Sequence, residues 1–198
     1  MSKAELRCFV GVPIGEPLGS ALREALGRLR EAASADADEL RWIVPAEWHL
    51  TLAFLGATPE AEIPRLSDAL QAVAADRRPF AVPTGGLGGF PSRRDVRILW
   101  YGLADRSRRL AELAIAVRIA MGCETRSPFR GHLTLARAHG DRGVTVPPRT
   151  WQVPMPAGEL AINELILYRS HIGHGPARYE TLSVARLGEP PAGKRATA

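Results

Sequence analysis

Lysine is nearly absent from this sequence: Lys3 and Lys194 are the only two among 26 basic residues, and every other cation is an arginine. Cysteine is as scarce, with Cys8 and Cys123 alone. Two thiols without CxxC spacing or a cysteine–histidine cluster do not make a disulfide-stapled scaffold or a structural zinc site, so two buried free thiols are expected. No run approaches the roughly 18 uninterrupted apolar residues of a membrane span. The opening MSKAELRCFVGVPIG holds no long apolar stretch and does not read as a secretory leader, which makes the cytoplasm the expected compartment. No HExxH and no two-histidine-one-carboxylate spacing occurs, so no metal and no other cofactor is expected.

What is present is ordinary for a globular chain. The 198 residues suit one domain or two small lobes, with 45% hydrophobic and 24% charged residues. The formal charge of +5, carried almost wholly by arginine, suits an anionic partner such as RNA, because the guanidinium fork grips phosphate bidentately. An arginine-favouring base composition explains the same excess, so charge alone does not decide between them.

Periodicity predicts strands over 6–13, 40–44, 96–103, 131–138, 158–170 and 177–187, and a strand from residue 80 that runs into a glycine-rich loop by residue 92. Helices are predicted over 17–34, 59–77 and 107–122. Within that order one pentapeptide recurs. His-Leu-Thr-Leu-Ala stands at 49–53 as HLTLAFLG and again at 132–136 as HLTLARAH, each time after a strand and a helix. The expected architecture is α+β: two similar lobes related by a pseudo-twofold, each an antiparallel sheet flanked by helices, with a cleft between them. Residues 1–188 form this single bilobed domain, and 189–198, EPPAGKRATA, are expected to be a disordered tail.

Side chains alternate across a strand, so His49 and Thr51 share one face and Leu50 and Leu52 the other; His132 and Thr134 stand likewise against Leu133 and Leu135. Two imidazoles that titrate near neutral pH can serve one reaction as general acid and general base. Two threonine hydroxyls can hold phosphate oxygens between them. A single His-x-Thr is more often a satisfied core histidine; two in matching contexts point to a site for displacement at phosphorus.

The paired HLTL motifs, with FVGVPIG near the start and GGFPSRRDVRILW in the middle, resemble the two-histidine (2H) phosphoesterase superfamily, and within it the RNA 2′,3′-cyclic phosphodiesterase branch, historically called 2′-5′ RNA ligase. The resemblance spans roughly residues 6 to 187. It implies metal-independent opening of a terminal ribose 2′,3′-cyclic phosphate to a 2′-phosphomonoester, with a 2′-5′ ligase side reaction at the same site. It carries the first motif onto His49, as acid toward the departing 3′-oxygen, with Thr51 on the phosphate. It carries the second onto His132, as base toward water, with Thr134. The partners implied are RNA ends or nucleotides bearing a 2′,3′-cyclic phosphate, with no membrane and no metal, and a monomeric state.

Arg137 is implied as a further phosphate ligand, yet strict alternation puts it with Leu133 and Leu135. Either the strand ends or bulges before it, or its side chain wraps round the edge. Phe54 fills the matching place in the first copy. Arg93, Arg94 and Arg130 can meet an RNA backbone, but solvated surface charges are the plainer reading. Trp48 and Phe129 can stack on a base, but core or rim packing is the plainer reading.

Three other readings are weaker. His171-Ile-Gly-His174 spells the HIGH of nucleotidyltransferases, but it lies between two late strands and is followed by Gly175-Pro176, which reads as a turn. A metal hydrolase using His49, His132 and His139 lacks a neighbouring carboxylate. A non-catalytic RNA- or nucleotide-binding module that keeps the phosphate cradle is the remaining alternative. GGLGG at 85–89 lacks the GK[ST] ending of a phosphate loop.

Overall fold

The computed structural model describes residues 5–33, 39–140, 142–171 and 178–189. The predicted C-terminal tail lies outside them beyond residue 189. Nine strands and three longer helices follow in the order β1 (Glu5–Pro13), α1 (Leu18–Ala33), β2 (Leu40–Trp42), β3 (His49–Pro59), α2 (Ile63–Ala75), β4 (Phe80–Pro91), β5 (Val96–Leu103), α3 (Arg109–Ala120), β6 (His132–Ala138), β7 (Glu159–Ile162), β8 (Glu164–His171) and β9 (Arg178–Arg186). Short 3-10 turns occupy 45–47, 60–62 and 148–152.

Among the described residues all strand pairings are antiparallel, in the order β7-β4-β5-β6-β3-β1-β8-β9, with β2 attached to β6. The order is symmetric about the β3–β6 seam. Outward from it, β3-β1-β8-β9 answers to β6-β5-β4-β7, and β1-α1-β3 answers to β5-α3-β6. This is the α+β, two-lobe arrangement expected from the repeat, and the two HLTL strands are its central pair.

The predicted strand 158–170 is two strands. β7 and β8 are separated by Asn163 alone, yet β7 pairs with β4 and β8 with β1, on opposite sides of the seam. The sheet must therefore curl until its two sides approach. The expected glycine-rich loop is strand as well, because β4 runs unbroken through GGLGG to Pro91 and pairs with β5 there.

Helices follow the leucine spacing. Leu18, Leu22, Leu26 and Leu29 bury one face of α1, and Leu66 and Leu70 one face of α2. α3 starts two residues later than its pattern suggested. The Asp105 carboxylate accepts hydrogen bonds from Leu110 and Ala111 amides at 3.3 and 2.9 Å, satisfying donors the first turn leaves unpaired. α2 packs on β8, β9 and α3, and α3 reaches β3 in the opposite lobe. The core beneath the seam is leucine-rich: Leu50, Leu52, Leu133 and Leu135 are all at most 1% exposed. Among the described helices, none is long and apolar enough to cross a membrane.

Candidate active site

The two histidines are set by matching local geometry. His49 opens β3, and its Nδ1 lies 2.8 Å from the carbonyl of Glu47; His132 opens β6, and its Nδ1 lies 2.7 Å from the carbonyl of Arg130. A carbonyl can only accept, so each bond fixes the proton on Nδ1 and leaves Nε2 as the free nitrogen. Leu50 pairs with Leu133 across the seam. Since Leu50 and Leu133 each directly follow a histidine, the symmetry axis passes between the motifs and brings His49, Thr51, His132 and Thr134 to one surface.

Both motif strands also bulge at the same place. Val10 and Gly11 are successive on β1 but pair with Ala53 and Thr51, leaving Leu52 as an extra residue. Leu99 and Trp100 pair with Ala136 and Thr134, leaving Leu135 extra. Each bulge lets two successive residues face the core: Leu52 with Ala53, and Leu135 with Ala136, all at most 3% exposed. Alternation then resumes with the faces exchanged. Arg137 consequently emerges beside His132 and Thr134, and Phe54, its counterpart, emerges on the same face at 67% exposure. The alternative of a bulge before Arg137 is the one the structure adopts. Its positive charge is felt at both imidazoles.

The two imidazoles have different surroundings. His49 is enclosed by Phe9, with ring centroids 4.7 Å apart, and by Tyr179, edge-on at 5.0 Å, with Tyr168 at 6.2 Å. Gly11 makes room for this ring, because a Cβ there would meet the Leu50 carbonyl at 3.0 Å and His49 Cδ2 at 3.4 Å. In the other lobe the position of Gly11 is held by Trp100, 6.0 Å from His132, and Phe90 meets His132 edge-on at 5.1 Å. Burial is the main force that lowers the pKa of His49, to about 4, and the hydrogen bond to the Glu47 carbonyl opposes it; Arg137 and His132 add smaller downward pushes. Burial also lowers His132, again opposed by its carbonyl bond, with Arg137 adding to the shift. Among the described residues, no carboxylate offsets these downward pushes at either imidazole. Burial depresses the proton affinity of Arg137 too, and Arg41 and Arg7 depress it further.

The other residues singled out in the sequence lie elsewhere. Arg93 donates to the Leu87 carbonyl at 2.8 Å and lies over the Trp151 ring, bracing the β4–β5 turn. Arg94 is exposed on that turn. Arg130 contributes its carbonyl to His132. Trp48 is core, 5% exposed, and Phe129 is capped by the Arg118 guanidinium. His171 ends β8 with Nε2 2.8 Å from Glu180, while His174 lies outside the described residues. Cys8 is buried and Cys123 half-buried, both free. Among the described residues, no group of three His, Cys, Asp or Glu side chains is placed to share a metal ion. The aromatic partners Phe9, Phe90, Trp100 and Tyr168 were not singled out by sequence, since each reaches the histidines only through strand pairing.

Comparison with known proteins gives the following. The family model described as LigT like Phosphoesterase matches residues 17–100. An RNA 2′,3′-cyclic phosphodiesterase of Thermus thermophilus is 31% identical over 79% of this chain and 80% of its own length. One from Geobacillus stearothermophilus is 30% identical over 91% of this chain; the chain spans only 58% of that longer protein. A crystal structure of a Thermus thermophilus protein superimposes with a TM-score of 0.75 at 25% identity, over 92% of this chain and 98% of that one.

Proposed function

The chain belongs to the LigT-like phosphoesterase family, and from that premise we propose that it hydrolyses a terminal 2′,3′-cyclic phosphate on RNA to a 2′-phosphomonoester by paired-histidine acid–base catalysis. The observation that carries this is the meeting of the two motifs across Leu50 and Leu133, each imidazole with its Nε2 free. His132 takes a proton from water, whose oxygen attacks phosphorus. The bond from phosphorus to O3′ breaks, and His49 gives its proton to the departing O3′. Thr51, Thr134 and Arg137 stabilise charge on the non-bridging oxygens.

The low pKa of His49 fits an acid charged by its own substrate. An anionic phosphate between the imidazoles opposes the burial cost and the repulsion from Arg137, so the proton arrives with the ligand. A 5′-hydroxyl in place of water gives a 2′-5′ phosphodiester by the same steps, which accounts for a ligase side reaction.

The test is hydrolysis of an oligonucleotide ending in a 2′,3′-cyclic phosphate, in excess EDTA, by the intact protein and by His49→Ala and His132→Ala. Turnover to a 2′-phosphate that both substitutions abolish supports the proposal. Tight binding without turnover by the intact protein favours the binding-module reading, and turnover that EDTA stops rejects the metal-free mechanism.

A further inference from the structure

Beside the histidines the surface opens into a cavity of about 550 Å³ whose walls carry Arg41, Arg97, Arg137, His139 and Phe90. Phe90 is the ring that meets His132 edge-on, and Arg137 is shared with the histidine site, so the two spaces adjoin. Arg41 and Arg137 are directly opposite each other in the β2–β6 register. Like charges in that relation destabilise a sheet. Among the described residues, no carboxylate lines the cavity, and Arg41, Arg97 and Arg137 make no ion pair or side-chain hydrogen bond. Three arginines gathered without a counter-charge are arranged for an anion.

The substrate's chemistry says which anion. An RNA strand that ends in a 2′,3′-cyclic phosphate continues only from its 5′ carbon. Any second negative group on it is therefore the phosphate on that side. Resting on the function proposed above, we propose that this cavity is a second phosphate subsite, in which Arg41 and Arg97 hold the phosphodiester 5′ to the terminal ribose while Arg137 bridges the two phosphates. The enzyme is then built for polynucleotide ends rather than mononucleoside cyclic phosphates. Guanidinium forks suit a phosphodiester's two free oxygens, and Phe90 gives the intervening nucleotide an apolar wall.

The experiment compares kcat/KM on three substrates: a nucleoside 2′,3′-cyclic phosphate, the same nucleotide with a 5′-phosphate, and a dinucleotide ending in the cyclic phosphate, the last with a natural or an uncharged methylphosphonate linkage. The intact protein should favour the natural dinucleotide over the mononucleoside by about tenfold or more, the scale of one charge-assisted contact. The methylphosphonate should lose that preference. Arg41→Gln and Arg97→Gln should lose it as well, with turnover of the mononucleoside unchanged. No preference in the intact protein, or an equal loss on all substrates in the variants, overturns the subsite. A 5′-phosphorylated mononucleotide that matches the dinucleotide keeps the anion site but overturns its assignment to a polynucleotide. Failure of the function itself is read separately, by titrating the intact protein and Arg41→Gln with a dinucleotide ending in a 2′-phosphate. Weaker binding by the variant supports the subsite even without turnover, and equal binding removes it.

Discussion

Leu50 and Leu133 face each other across the β3–β6 seam, and each is the residue directly after a candidate catalytic histidine. Both are fully buried. A change at either leucine is therefore felt at both imidazoles. Leu50→Ala or Leu133→Ala should cost about 2–5 kcal/mol in stability by denaturant unfolding. The double variant should cost less than the sum of the singles, because the second truncation enlarges a cavity already made. Additive losses would show that the two strands do not share one packing unit.

The repeated motif was legible because its chemistry and its local context recur together. The face of Arg137 was not. The bulge that turns it arises from pairing with β5, and nothing in HLTLARA distinguishes a bulged strand from a regular one. Asn163 was hidden for a similar reason: ELAINELILYRS reads as one strand, and only the partners of its halves separate them. Gly88 within GGLGG is explained by its partner on the next strand, since the Trp100 indole lies against it.

Acid should destabilise the protein through His49. Its folded pKa, about 4, lies below the ordinary value of 6.5. The unfolded chain therefore takes up a proton as pH falls from about 7 toward 4 while the folded protein resists it, and stability drops across that window. His49→Asn should flatten this part of the curve of melting temperature against pH. Added inorganic phosphate should stabilise the native protein more at pH 5.5 than at pH 8. An unchanged acid limb in His49→Asn would place the titration elsewhere.

The roles of the two histidines separate with a leaving group that needs no proton. In a cyclic phosphate whose 3′-bridging oxygen is replaced by sulfur, the thiolate departs unaided. His49→Ala should then recover most of its lost rate relative to the intact protein, whereas His132→Ala should remain slow by about 10²–10⁴-fold. Rescue of His132→Ala instead would exchange acid and base.

Gly88 and Gly86 offer a matched pair on one strand. A Cβ on Gly88 would overlap the Trp100 ring, while nothing lies within 4 Å of one on Gly86. Gly88→Ala should displace the indole that stands beside His132, costing about 1–3 kcal/mol and altering tryptophan fluorescence and turnover. Gly86→Ala should leave all three unchanged. Equal effects would mean that strand geometry, not room for the indole, is what β4 requires of its glycines.

Arg137 should show activity and stability pulling apart. It is half-buried, Arg41 lies directly opposite, and no carboxylate ion pair is made to it among the described residues. Holding a cation there without its ligand works against folding, and only a bound anion reverses the balance. Arg137→Gln should lower kcat by about 10²–10³, as for loss of a donor to charge that develops in the transition state. Its unfolding midpoint should hold or rise in the absence of ligand. Arg137→Lys should recover little of the rate, because a single ammonium cannot span two oxygens as the guanidinium does. Phosphate should stabilise the intact protein and fail to stabilise Arg137→Gln to the same degree. A variant that loses activity and midpoint together would make Arg137 a structural residue, and the bulge that exposes it would then need another reason.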